Sequence, residues 1–185
     1  MRIESSFHVP AQPAQAWGLL MDVPRVIPCM PGATLEEEVD GSNWKTKMAV
    51  KLGPISLTFA TDVCREVADE EAGRVVLSAN AREVRGRGSA RATIESTLAP
   101  EGGGTTIGVV TDLTLSGAVA QYGRGIVQDV TEQLLVRFAD CLRLQLEDPA
   151  ATTVPASLPP SKPVSGGRLV LRALLSSLTR LFRRG

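Results

Sequence analysis

The chain has 185 residues, enough for one domain with a substantial core and too few for two of ordinary size. Its 20 acidic and 20 basic residues cancel, yet the first 148 positions carry −6 and the remainder +6, so the C-terminal segment is a chemically separate object. An acidic, aromatic-poor domain excludes nucleic acid as a partner, and the absence of a signal-like start or a run of about 18 apolar residues predicts a cytoplasmic protein that does not span a membrane.

Residues 2–9 alternate around Ile3, Phe7 and Val9 and predict a first strand that stops at Pro10. Pro13 suits the first turn of a short helix over 14–21, with Trp17, Leu20 and Met21 on one face. Pro24 and Pro28 limit the next segment to a second short helix, and Pro28-Cys29-Met30-Pro31-Gly32 reads as a rigid turn. From Ala33 the period becomes two. Strands are expected at 33–40, 43–52, 55–68, 73–84, 87–99 and 104–115, joined by short Gly-containing connections such as Asp40-Gly41 and Gly53-Pro54. Within 55–68, Ile55, Leu57, Phe59, Thr61 and Val63 share one face, so the meander has an apolar side and a wet side.

One long helix is expected over 116–148. Tyr122, Ile126, Val130, Leu134, Phe138 and Leu142 recur every four residues behind the glycine-studded entry Ser116–Gly125. Such a helix can close a sheet that cannot bury its own apolar face.

Residues 149–167 hold five prolines among small residues and read as a flexible linker. Residues 168–185 then form an amphipathic pattern. Leu171, Leu174, Leu175, Leu178, Leu181 and Phe182 fall on one arc, with Arg168, Arg172, Arg180, Arg183 and Arg184 opposite. A basic helix without an acid suits the surface of a membrane containing anionic lipids, where each arginine contributes about 1 kcal/mol. A groove on a partner protein, or the acidic surface of its own domain, is the alternative docking place.

Few residues invite chemistry. His8 is the only histidine and is expected at a solvent edge, so no Ser–His–Asp or Cys–His arrangement can be built. Cys29, Cys64 and Cys141 lack metal-ligand or CxxC spacing and read as three buried free thiols, with no metal site. Gly102-Gly103-Gly104 reads as a hairpin turn. The glycines of Gly123-Arg124-Gly125 read as close backbone packing against the sheet, with an anion site as the alternative. Arg82, Arg85, Arg87 and Arg91 read as a solvated strand face, with a protein-docking patch as the alternative.

Five segments, taken in order, carry a resemblance: Phe7–Pro10, Ala16–Asp22, Pro28–Gly32, Lys51–Ile55 and Ser116–Gly125. Together they resemble the α+β helix-grip fold of the START and Bet v 1-like superfamily and, within it, the CoxG family of carbon monoxide dehydrogenase subunits, over residues 2–147. The resemblance implies about seven antiparallel strands curved around the long helix, two short helices, and a cavity between sheet and helix; the tail helix stands apart. The expected cavity lining is Met48, Val50, Leu57, Phe59, Leu113 and Leu115 from the sheet, with Tyr122, Ile126, Val130 and Phe138 from the helix. It also implies an accessory role beside a molybdenum-containing CO dehydrogenase-type hydroxylase at the cytoplasmic face of the cell membrane. The ligand expected on this reading is a respiratory quinone, menaquinone or ubiquinone, carried without covalent attachment. A pure anchor or assembly factor with a filled core, and a cyclase- or hydrolase-like enzyme, are the alternatives; no catalytic residue is assigned.

Overall fold

The computed structural model describes residues 1–52 and 55–147. The readings of Gly53-Pro54 as a turn, of 149–167 as a linker and of 168–185 as a membrane-surface helix, with its residues Arg168 to Arg184, lie outside the described residues.

The chain starts with β1 (Arg2–Val9), α1 (Pro13–Met21), α2 (Val23–Val26) and a 3-10 turn (Ile27–Cys29). Six strands follow: β2 (Ala33–Asp40), β3 (Asn43–Leu52), β4 (Ile55–Asp69), β5 (Arg74–Glu83), β6 (Gly88–Glu101) and β7 (Gly104–Gly117). A second 3-10 turn (Ala118–Tyr122) leads into α3 (Gly123–Glu147). Pro13 opens α1, where the Gln12 N–H donates to Gln15 Oε1 at 3.3 Å, and Asp22 Oδ1 accepts from the Arg25 N–H at 3.3 Å at the start of α2. The sheet runs β1-β7-β6-β5-β4-β3-β2 with every neighbour antiparallel. Along β4, Leu57 and Phe59 are buried while Ser56 and Ala60 are exposed, the alternation of a sheet wet on one side. Irregular register in β2 and at Arg65/Val67 in β4 adds local bend and twist.

The expected single helix over 116–148 is divided. Ser116 and Gly117 still pair with Ser89 and Gly88 in the sheet, and the 3-10 turn separates them from α3. Gly117 adopts φ +72°, and a Cβ there would lie 2.7 Å from Gly88 Cα, so the chain leaves the sheet at a point where only glycine fits. Gly123 and Gly125 have nothing within 4 Å of a notional Cβ, so close packing is not their reason; Gly123 turns the chain into α3 at φ +76°.

Among the described residues, buried side chains gather in three clusters. Val9, Ala16 and Ile107 make the first; Leu19, Cys29 and Leu142 make the second, next to it through shared neighbours Phe7, Leu20 and Leu146. Leu57, Phe59 and Val119 make the third, under the second 3-10 turn. Small domains usually have one contiguous core. In α3 only Ala139 and Leu142 are fully buried, so the helix is anchored through its C-terminal half.

That half also carries a covalent tie. Cys29 and Cys141 form a disulfide across a sequence separation of 112, with Cα atoms 5.3 Å apart, and Cys64 is the free thiol. This corrects the expectation of three free thiols: neither cysteine has a partner nearby in sequence, and only the packing of α3 on the first 3-10 turn brings them together.

Candidate functional site

Between the third cluster and the first two, the concave face of the sheet and the N-terminal half of α3 do not meet. They enclose a cavity of about 480 Å³, within the range of small-molecule sites.

The sheet positions Met48, Val50, Leu57, Phe59, Leu113 and Leu115 on its wall, each from an inward-facing strand position. Tyr122 reaches it from the 3-10 turn, and Val130 and Phe138 from α3. Ile126 does not: it is 48 % exposed and Val127 lines the cavity instead. The reason is geometric. A row of every fourth residue rotates about 40° per step on a 3.6-residue helix, so a row centred on Phe138 has turned about 120° away by Ile126. The cavity-facing set on α3 is Val127, Val130, Thr131, Leu134, Leu135 and Phe138.

Four alanines escaped the sequence reading and explain why space remains. Ala79 and Ala81 of β5 face the cavity, and their cross-strand partners Ala92 and Ala90 of β6 do too. The central floor of the sheet therefore carries methyl groups where larger side chains would meet the helix. Their signal in the sequence is alanine at alternate positions in both strands, which reads as weak strand propensity and not as a lining.

The wall is almost without charge. Among the described residues of the wall only Arg65 carries one, and both its terminal nitrogens are engaged: Nη1 donates to Met21 O at 3.3 Å and Nη2 to Gly41 O at 2.6 Å, with the guanidinium 5.3 Å from the centroid of the Trp44 ring. Thr46 Oγ1 donates to Thr61 O at 3.4 Å and Thr131 Oγ1 to Val127 O at 2.9 Å, so these hydroxyls serve the backbone. No carboxylate, imidazole or thiol lines the cavity among the described residues. Nor do the described residues hold a cluster of His, Cys, Asp or Glu suited to a metal. His8 is exposed at the end of β1, with Nε2 3.2 Å from Glu101 O, away from the lining.

Beside the cavity, Glu83 closes β5 and is 5 % exposed. Burial pushes its carboxyl up, but the N–H groups of Arg87 and Arg85, which donate to Oε2 at 3.1 and 2.9 Å, more than offset this and hold it below the ordinary range. Of the arginines read as one strand face, Arg85 and Arg87 lie in the turn that Glu83 holds; only Arg82 and Arg91 lie on strands. The turn begins at Val84 because Gly86 bends the chain there at φ +75°.

The family model of CoxG, a carbon monoxide dehydrogenase subunit, matches residues 5–147. The chain belongs to the CoxG family. No curated protein sequence matches it. Among solved structures, this CoxG-family chain is similar to a conserved protein from Geobacillus kaustophilus, with TM-score 0.71, 17 % identity, and coverage of 80 % of this chain and 95 % of that one. A START superfamily protein from Mycobacterium smegmatis matches with TM-score 0.52 and 18 % identity over 79 % of this chain and 97 % of its own. The Zhui aromatase/cyclase from Streptomyces sp. R1128 matches with TM-score 0.58 and 13 % identity over 80 % and 93 %. At these identities the likeness is one of fold, the helix-grip fold expected from the sequence. CoxG membership makes the chain an accessory subunit of the carbon monoxide dehydrogenase type, and its START-like fold encloses space for a hydrophobic ligand. No helix among the described residues is long and apolar enough to cross a membrane.

Proposed function

We propose that this chain is a non-enzymatic carrier that holds a respiratory quinone, menaquinone or ubiquinone, in the cavity and presents it to a molybdenum CO dehydrogenase-type hydroxylase. The hydroxylase passes its electrons through the carrier to the membrane quinone pool. On this reading the arginine-rich tail, Arg168 to Arg184, rests on anionic lipids at the cytoplasmic face of the cell membrane, and the proline-rich segment before it acts as a tether.

The observation that carries the reading is the cavity itself: about 480 Å³, with a wall of mostly aliphatic and aromatic side chains, a few threonine and serine hydroxyls and one already engaged cation. Burying an apolar molecule there gains about 25 cal/mol for each Å² removed from water, without displacing bound polar groups. A filled core, as a pure anchor would have, does not leave such a volume, and the described wall offers a catalyst no carboxylate, imidazole or thiol. On this reading Tyr122, which lines the cavity from the 3-10 turn, offers a hydroxyl to a ligand carbonyl.

The test is organic extraction and mass spectrometry of the full-length protein purified from a quinone-containing host. A stoichiometric isoprenoid quinone is the expected result. Its absence above the host background, with the cavity accessible to an added short-chain quinone yet unoccupied, would leave only the anchoring role.

A further inference from the structure

The two ends of the sheet carry opposite charge. At one end lie the β2–β3, β4–β5 and β6–β7 turns, where Asp40, Asp69, Glu70, Glu71 and Glu101 are exposed. At the other end lie the start of β4, the turn over residues 84–87, the end of β7 and the first turn of α3. There Lys51, Arg82, Arg85, Arg91 and Arg124 are exposed, Arg87 is half-buried, and none of the six makes an ion pair among the described residues. Elsewhere on the sheet Lys45 pairs with Glu37 at 2.7 Å and Arg74 with Glu95 at 2.6 Å, while Arg65 is held by the carbonyls of Met21 and Gly41. The carboxylate of Glu83, at the head of the 84–87 turn, is buried and engaged by the turn itself. The N-terminus of the 25-residue helix α3 adds the positive end of its dipole.

Two aliphatic side chains stand out among these cations. Val84 is 55 % exposed and Ile126 48 %. The turn bearing Val84 is held in place, since the Val84 N–H donates to Thr58 O at 2.9 Å and the Val119 N–H to Arg87 O at 3.2 Å.

We propose that this basic end is a membrane contact of the folded domain, separate from the tail. Its arginines meet the headgroups of anionic phospholipids while Val84 and Ile126 enter the headgroup–acyl boundary. An acidic protein would also attract the cations. However, a protein interface buries a contiguous apolar centre, whereas single aliphatic residues on turns suit a fluid surface that accepts them one by one. The acidic opposite end is repelled by the same leaflet, so the charge separation also sets the orientation. The same elements carry Leu57, Ala81, Leu115 and Tyr122 into the cavity, which places that end of the cavity toward the bilayer. The contact stands or falls independently of whether the ligand is a quinone.

The test uses the full-length chain in a Cys64→Ser background, labelled with an environment-sensitive fluorophore at Val84→Cys or, in the acidic β4–β5 turn, at Ala72→Cys. Vesicles are phosphatidylcholine with about 30 mol% phosphatidylglycerol, or phosphatidylcholine alone. A blue shift at position 84 on the anionic vesicles only, lost near 0.5 M salt, with none at position 72, is the expected result. Adding Arg85→Glu and Arg87→Glu should abolish the shift, with affinity falling by at least roughly fivefold for each arginine reversed. If the chain sediments with anionic vesicles while the label at 84 stays unchanged, the tail alone makes the contact and the proposal fails. Failure to bind anionic vesicles at all overturns it too, as does a shift that survives the two charge reversals.

Discussion

Replacing Ala79 and Ala92 by leucine in one chain builds six carbon atoms onto the floor of the cavity, at positions that pair directly across β5 and β6. At close packing each carbon occupies about 25 Å³, so the double substitution takes up roughly 150 Å³. That is about a third of the 480 Å³ available. Two opposite consequences separate an empty cavity from a packed core. Extra methylenes forced into a packed core cost about 1–3 kcal/mol per site. Methylenes entering a void gain up to ~0.8 kcal/mol each, and with burial only half complete the pair gains about 2–3 kcal/mol. For a domain of this size the gain corresponds to a rise in Tm on the order of 5–10 °C. The assay is thermal unfolding of ligand-stripped protein by tryptophan fluorescence, alongside extraction of bound isoprenoid. Higher Tm with lost ligand is expected. A lower Tm would show that the floor is packed, and a higher Tm with undiminished quinone would show that the ligand lies elsewhere.

Further predictions concern single features. Val130→Trp should lower quinone occupancy at least tenfold while Ile126→Trp leaves it unchanged, because only Val130 faces the cavity; extraction from both purified variants decides between them. Glu83 has a depressed folded-state pKa, so its contribution is full above the ordinary carboxylate value of 4.5 and is lost as pH falls through the lowered one. Urea midpoints of wild type and Glu83→Gln should accordingly differ at pH 7 and converge in acid; a gap that persists at pH 2 would contradict an origin in the ionised carboxylate. Closing a loop of 112 residues contributes about 4–5 kcal/mol in chain-entropy terms, so Cys29→Ser with Cys141→Ser should lower the urea midpoint markedly. In denaturant without reductant, a thiol reagent should label one cysteine per wild-type chain, Cys64.

Much of the fold was legible because its signals are local. Period-two alternation and glycine-containing turns located all seven strands to within a few residues, including β1 (Arg2–Val9) and β3 (Asn43–Leu52) at their observed ends. Pro13 placed the first short helix, and Pro24 and Pro28 bounded the second, for the same reason. Nine of the ten expected lining residues face the cavity; for the six on strands, inward direction follows from parity. Ile126 failed because direction on a helix depends on phase, and the observed phase is set where Ala139 and Leu142 pack at the other end of α3. The start of α3 was misplaced because Ser116 and Gly117 gain ladder partners in Ser89 and Gly88, which no local pattern announces.

The amino-acid sequence by itself determined the order of elements, the wet and dry faces of the sheet and the charge division between domain and tail, because each depends on residues close together in the chain. Only the tertiary structure decided which cysteines pair, which arginines gather at one end of the sheet, and that the alanines of β5 and β6 leave a cavity. Those outcomes depend on groups far apart in sequence meeting, or failing to meet, across the gap between the sheet and α3.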